Sequence, residues 1–364
     1  MPPATTFDRT DEPNRGSGCA DSSCEGSSRE VLGRSESAYS GAGDSEAKRT
    51  SIIQGKDGRG CFRDGLADSR AECRAIAKAS RENFLVATCL LPRAIRQPFY
   101  DLYAFCRTAD DLADESGTPE KAVLALAEYR RAVAAMYSDE RQDGQIAGIF
   151  VALADTVHRF SIPRQLLDDL LDAFVQDQSI VRYRDEEQLL DYCRRSANPV
   201  GRMILRLADA DSDENVLLSD EICTALQLVN FWQDVSRDRL IGRVYIPASI
   251  MQRFGFEDET IRRGLESGQT TPEEVRDAIK FLCKQTRERF HRGMPLVDQV
   301  PGWLSADLKL FVEGGLATVD AIEAIDFDVL RVRPVVRRST QLRLLGRTMW
   351  QRCWSGRVRG GASR

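Results

Sequence analysis

The chain has 364 residues, 42% of them hydrophobic and 29% charged, with a formal net charge of −5, a composition that suits a folded globular protein. No apolar run approaches the roughly 18 residues that a membrane helix needs, so no transmembrane span is expected. Only two histidines exist, His158 and His291, each isolated; a Ser/His/Asp triad, a Cys/His pair and a His-rich zinc site are all disfavoured, and any chemistry must rest on carboxylates, arginines and aromatics.

Residues 1 to 65 are rich in Ser, Gly, Asp, Glu and Arg, as in "GSGCADSSCEGSSRE". They hold too few large apolar side chains to offset the entropy of ordering, so a disordered extension is expected. Within it "GKDGRG" at 55 to 60 follows no strand and matches neither glycine-rich nucleotide fingerprint, and it reads as a linker. The N-terminus lacks the apolar stretch of a secretory signal, which predicts a cytoplasmic protein. The ten cysteines include no Cys-x-x-Cys pair and are expected to be core-packed thiols.

From about 68 to 327 the apolar residues recur every three or four positions, as in "PEKAVLALAEYRRAVAAMY", "PRQLLDDLLDAFVQDQ", "DEICTALQLVNFWQDVSRD" and "TPEEVRDAIKFLCKQTRERF". Thr118-Pro119, Ser161-Ile162-Pro163 and Thr271-Pro272 mark helix starts. No run alternates with the period of a strand for long, so residues 66 to 330 are expected to form a single all-α domain. Beyond Asp328 acidic residues stop and ten arginines follow. Residues 331 to 364 thus form a basic tail in which "TQLRLLGRTMWQRCW" has the pattern of a helix lying on an anionic membrane surface.

Two stripes of polar side chains stand out. In "YAFCRTADDLADE", at 103 to 115, Tyr103, Arg107, Asp110 and Asp114 fall on one helical face, and in "QLVNFWQDVSRD", at 227 to 238, Gln227, Asn230, Asp234 and Asp238 do the same. The other faces of both segments are apolar, so each stripe is expected to line an internal cavity rather than face water. Four buried carboxylates on one cavity cannot all stay ionised without cations. Oxygen-only ligation favours Mg²⁺, which takes one or two carboxylates plus phosphate oxygens, and the set points to a metal-bridged diphosphate with an apolar tail.

These motifs resemble those of the squalene and phytoene synthases, the head-to-head class of all-α isoprenoid synthases, over roughly 80 to 345. "YAFCRTADDLADE" is similar to the family's first aspartate motif and "NFWQDVSRDRLIGRVYIP" to its second with the flap that follows. The resemblance implies that Asp110, Asp114, Asp234 and Asp238 bind Mg²⁺, with Mn²⁺ as an alternative ion, and that Arg107 and Arg243 meet diphosphate oxygens. It places Tyr103, Gln227, Asn230 and Tyr245 in the same pocket, and with them Phe84, Asn198 and Gly201 from the stretches "RENFLVATCLLP" and "DYCRRSANPVGRMILRLA", which look most like bacterial hydroxysqualene synthases of hopanoid pathways.

Arg81 and Glu82 stand where many relatives have Ser and Lys, and Phe290 where relatives that condense two farnesyl diphosphates often have Tyr. The expected reaction is therefore conversion of presqualene diphosphate to hydroxysqualene. A pocket walled by Phe84, Tyr103, Phe105, Phe231 and Trp232 would face the carbocation, each aromatic face contributing about 0.5 to 2 kcal/mol. Water would capture the cation, held by Asn198, Gln227 or Asn230. No dinucleotide fingerprint is present, so no NADPH is expected. The expected location is the inner face of the cell membrane, with a prenyl diphosphate as substrate, no nucleic acid, and companion squalene-pathway enzymes as partners. The alternative is a squalene or phytoene type synthase that joins two prenyl diphosphates; a catalytically silent, membrane-attached scaffold is the contrasting reading, disfavoured by retention of all four aspartates.

Overall fold

A computed structural model describes residues 62–79, 91–138 and 147–336. Fourteen helices occupy these residues, and their only β pairing is an isolated parallel bridge between Arg182 and Val244. The all-α expectation holds. The helices are α1 (Phe62–Ala79), α2 (Arg93–Asp114), α3 (Pro119–Met136), α4 (Ile149–Arg159), α5 (Arg164–Gln176), α6 (Glu186–Ser196), α7 (Asn198–Leu207), α8 (Asp213–Gln233), α9 (Val235–Leu240), α10 (Ala248–Phe254), α11 (Asp258–Ser267), α12 (Glu273–Gly293), α13 (Leu296–Gln299) and α14 (Gly302–Ala324).

Helix α1 begins four residues inside the segment expected to be an extension; residues 1–61 lie outside the described residues, as do the stretch holding Phe84 and the amphipathic part of the basic tail. Thr118 caps α3 as its sequence suggests, its hydroxyl accepting from the Lys121 N–H at 3.3 Å. Thr271 does something different: its N–H and hydroxyl both donate to Asp328, at 2.8 and 2.7 Å, and so pin the start of α12 to the end of α14.

Two apolar clusters form the core. In the first, Phe105 on α2 stacks on Tyr129 of α3 at 5.3 Å, and Tyr129 packs against Phe150 of α4 at 4.9 Å. The Tyr129 hydroxyl donates to the Phe105 carbonyl at 3.1 Å, so its burial leaves no polar atom stranded. In the second, α8 packs against α6, α7, α12 and α14. Trp232 is anchored there by its indole N–H, which donates to the Thr286 hydroxyl at 2.9 Å. Phe290 lies so close to α14 that a Cβ built on Gly315 would sit 2.2 Å from its ring, which explains a glycine in mid-helix. The five described cysteines are free thiols.

Candidate active site

Helix α2 carries Tyr103, Arg107, Asp110 and Asp114 in its last three turns, as the spacing predicts. Arg107 reaches along the helix, one Nη at 3.2 Å from Asp110 and the other at 2.7 Å from Asp111. The second stripe is not one continuous helix. Helix α8 ends at Gln233, Asp234 takes φ −105° and ψ 17°, and α9 starts at Val235. The Asp238 N–H still donates to the Asp234 carbonyl at 2.9 Å, so the two carboxylates stay one turn apart.

The expectation of buried carboxylates needs correction. Asp110, Asp234 and Asp238 are half-buried and Asp114 is exposed. Each motif closes its helix, and a helix end reaches the surface where a middle turn would not. Burial still acts on Asp238, raising its carboxyl to about 6; the Asp234 charge adds to this, while Arg243 and Arg237 oppose it.

The flap is tied to the second motif and to the segment after α5. Gly242, at φ +83°, turns the chain after α9 in a conformation that favours glycine. The Arg243 N–H then donates to the Asp238 carbonyl at 2.7 Å, and the N–H groups of Val244 and Ala248 donate to the Val181 and Tyr183 carbonyls. Arg243 is thereby held beside Asp238, where its charge opposes the rise of that carboxyl, and Asp114 is among the acids that raise its own guanidinium. Tyr245 stacks flat on Phe231, with ring centroids 3.7 Å apart and planes at 8°.

Two residues that sequence reasoning passed over stand in the same place. Asp177, which caps the C-terminus of α5, accepts a 2.7 Å hydrogen bond from the Tyr192 hydroxyl through its side chain and a 3.3 Å bond from Arg243 through its carbonyl. Its carboxyl is raised to about 6 by burial; the Tyr192 hydrogen bond and Arg243 oppose the rise, whereas Asp114 and Asp110 add to it. Tyr192, Tyr183, Tyr245 and Phe231 form one aromatic cluster with centroids 3.7 to 6.3 Å apart. Asp177 has no acidic partner at helical spacing, and the aromatics come from three separated segments, so no local pattern marks them.

Other expected residues divide. Gln227 is half-buried and Asn230 exposed on the last turns of α8, and Tyr103 is half-buried on α2. Asn198 is buried and its side-chain oxygen accepts from the Thr224 hydroxyl at 3.0 Å. It lines a 690 Å³ cavity with Leu190, Leu218, Thr224, Arg289 and Arg292, and none of the four motif aspartates borders it. Gly201 serves packing: a Cβ there would sit 2.5 Å from the Cys223 sulfur and the Ser219 hydroxyl, so α7 and α8 could not lie as close. Phe105 is buried in the first core, and Trp232 in the second together with Phe231, Tyr192 and Tyr245.

Among the described residues no three His, Cys, Asp or Glu side chains converge tightly enough to hold a metal ion on their own. Mg²⁺ usually keeps waters and binds one or two carboxylates plus substrate phosphate oxygens, so it does not require an all-protein metal cage. The donor chemistry is also right, since each motif offers only carboxylate oxygens, one turn apart.

The squalene/phytoene synthase family model matches residues 77–340. The hydroxysqualene synthase of Zymomonas mobilis is 37% identical over 179 residues, 48% of this chain and 57% of that protein. The 15-cis-phytoene synthase of Synechococcus elongatus is 26% identical over 287 residues, 74% of this chain and 89% of that protein. A solved structure of a squalene synthase, HpnC, from Alicyclobacillus acidocaldarius is 34% identical, with a TM-score of 0.67, covering 72% of this chain and 96% of that one. With its paired aspartate motifs, the flap that follows the second and a model match over most of its helical body, this chain belongs to the squalene/phytoene synthase family.

Proposed function

We propose that this chain converts presqualene diphosphate to hydroxysqualene with Mg²⁺ and without a nicotinamide cofactor. The observation that carries the reading is the flap residue Arg243, whose N–H donates to the Asp238 carbonyl at 2.7 Å, so that an arginine suited to diphosphate oxygens is fixed beside the second carboxylate pair. The similarity to a named hydroxysqualene synthase supports it.

Asp110, Asp114, Asp234 and Asp238 would hold Mg²⁺, which when bound neutralises the diphosphate and makes it a better leaving group. Arg243 and Arg107 would bind its oxygens, Arg107 after leaving Asp110 and Asp111. The ester C–O bond breaks and its electron pair leaves with diphosphate. The cyclopropylcarbinyl cation opens beside Phe231, Tyr245, Tyr192 and Tyr103, whose ring faces stabilise positive charge. Water then forms the new C–O bond and its proton passes to the departed diphosphate. Gln227 and Asn230, on the motif face of α8, are better placed to orient that water than Asn198, which is engaged by Thr224. The aromatic wall must exclude water until the ring has opened.

A second reading, condensation of two prenyl diphosphates, is favoured by the longer match to a phytoene synthase. Product analysis separates the two. Presqualene diphosphate with Mg²⁺ and no NADPH should yield hydroxysqualene. Product from two farnesyl diphosphates alone would replace the first reading with the second.

The basic tail supports a peripheral site on anionic membrane, where substrate and product would reside; no described helix is long and apolar enough to cross one. Residues 337–364 lie outside the described residues, and Arg331 and Arg333 pair internally with Asp328 and Asp234. Any lipid contact therefore falls to the later arginines, at about 1 kcal/mol each near the surface. Sedimentation with anionic vesicles at low and high salt, with and without residues 337–364, tests this.

A further inference from the structure

We propose that Asp177 is a positioning residue of this site, holding the Tyr192 phenol and the Arg243 guanidinium in place for the substrate rather than ligating metal. The inference rests on the proposed diphosphate ionisation and adds a residue from outside both aspartate motifs.

Asp177 ends α5, so its carbonyl is among those that the helix leaves without an intrahelical partner. Arg243 donates to that carbonyl at 3.3 Å, which places the guanidinium at the negative end of the helix. The side chain does a separate job. Its Oδ2 accepts the Tyr192 hydroxyl at 2.7 Å, and Tyr192 is only 4% exposed. The segment after Asp177 is fixed as well, because Val181 and Tyr183 carry the flap through their carbonyls and Arg182 donates to the Gly242 carbonyl at 2.5 Å. One turn of chain therefore sets the flap, its arginine and the phenol together.

This arrangement has a chemical consequence. A phenol that gives its only proton to a carboxylate leaves its oxygen lone pairs and an enriched ring for whatever lies on its other side. Tyr192 packs with Phe231 at 6.2 Å and Tyr245 at 6.3 Å, so the enriched ring belongs to the aromatic wall. Such a ring stabilises a developing cation more strongly than a phenol bonded to water. A metal ion on Asp177 would pull the carboxylate charge away from the Tyr192 hydrogen bond and so from the ring.

The test compares Asp177→Asn, Tyr192→Phe and the double variant in the full chain. Turnover of presqualene diphosphate is measured with Mg²⁺, and binding of Mn²⁺ with inorganic pyrophosphate by calorimetry. Asp177→Asn should lower kcat about ten- to a hundredfold, the range for weakening a hydrogen bond to a charged group, with little change in KM. The double variant should be no slower than Tyr192→Phe by more than about twofold, because both changes break one linkage. Mn²⁺ and pyrophosphate binding should stay within about twofold of the unaltered chain, an outcome that a metal ligand cannot give. A tenfold loss of Mn²⁺ binding, multiplicative loss in the double variant, or full activity of Asp177→Asn would each overturn the proposal. A crystal structure of Asp177→Ala should show Tyr192 displaced while Arg243 keeps the residue 177 carbonyl as its partner; Tyr192 staying in place would also overturn it. If the unaltered chain turns over neither presqualene nor farnesyl diphosphate, the functional reading fails by itself, and the metal-binding and crystallographic results still decide the role of Asp177.

Discussion

Arg333 forks the carboxylate of Asp234, Nε to Oδ1 at 2.5 Å and Nη2 to Oδ2 at 3.2 Å, joining the segment after α14 to the second aspartate motif. Gln233 reinforces the contact by donating to the Pro334 carbonyl at 2.8 Å. An internal cation thus stands where the proposed function requires Mg²⁺. Arg333→Ala should free Asp234 and tighten Mn²⁺ binding by up to about fivefold, since partly exposed ion pairs contribute about 0.2 to 1 kcal/mol. Calorimetric titration of both proteins checks it; weaker binding in the variant would mean that Arg333 assists the metal instead of competing with it.

Asp110→Asn and Asp234→Asn should each reduce turnover by at least about a hundredfold, comparable to removing one preorganised electrostatic group, while the helical circular dichroism stays unchanged. Both side chains are half-buried at helix ends, so little packing depends on their charge. EDTA should abolish turnover and Mg²⁺ restore it. Undiminished activity in EDTA would remove the metal from the mechanism.

The raised carboxyl of Asp238 gives a pH dependence with a definite sign. Its folded value, about 6, lies above the ordinary aspartate value near 4. Between these values the folded state keeps a proton that the unfolded state has released, so this group makes stability fall as pH rises, the loss being complete above about pH 6. Solvent screening reduces the effect to about 1 kcal/mol. Asp238→Asn should therefore raise the melting temperature at pH 8 and leave it unchanged at pH 4. In the unaltered chain Mn²⁺ binding should weaken below about pH 6, as a proton replaces the ion on Asp238.

Gly315→Ala should destabilise the fold by about 1 to 3 kcal/mol, because its methyl group meets the Phe290 ring at 2.2 Å. Thermal melts of Gly315→Ala, Phe290→Leu and the double variant test the contact. The double variant should be more stable than the sum of the single losses predicts, since the smaller side chain makes room for the methyl.

How much of this was written locally can be argued from particular residues. The helices were, because the apolar period of "PEKAVLALAEYRRAVAAMY" and the Thr118-Pro119 start are facts about neighbours in sequence, and α3 runs from Pro119 to Met136. So was the pairing of carboxylates within each motif, since Asp110 with Asp114 and Asp234 with Asp238 are spaced by one helical turn. Burial was not. The apolar residues around Asp110 show that α2 is a core helix, but only the place where α2 ends decides that Asp114 is exposed.

Long-range contacts were equally invisible to the sequence. Asp177 meets Arg243 across 66 residues and Asp234 meets Arg333 across 99. A hydrogen bond or ion pair between distant residues leaves no period and no spacing to read; it exists because helix packing closes the loops between them. The sequence by itself determined an all-α chain with two carboxylate pairs. The tertiary structure decided which arginine answers each pair and which aromatics stand beside them, because those choices depend on how helices pack and not on how residues follow one another.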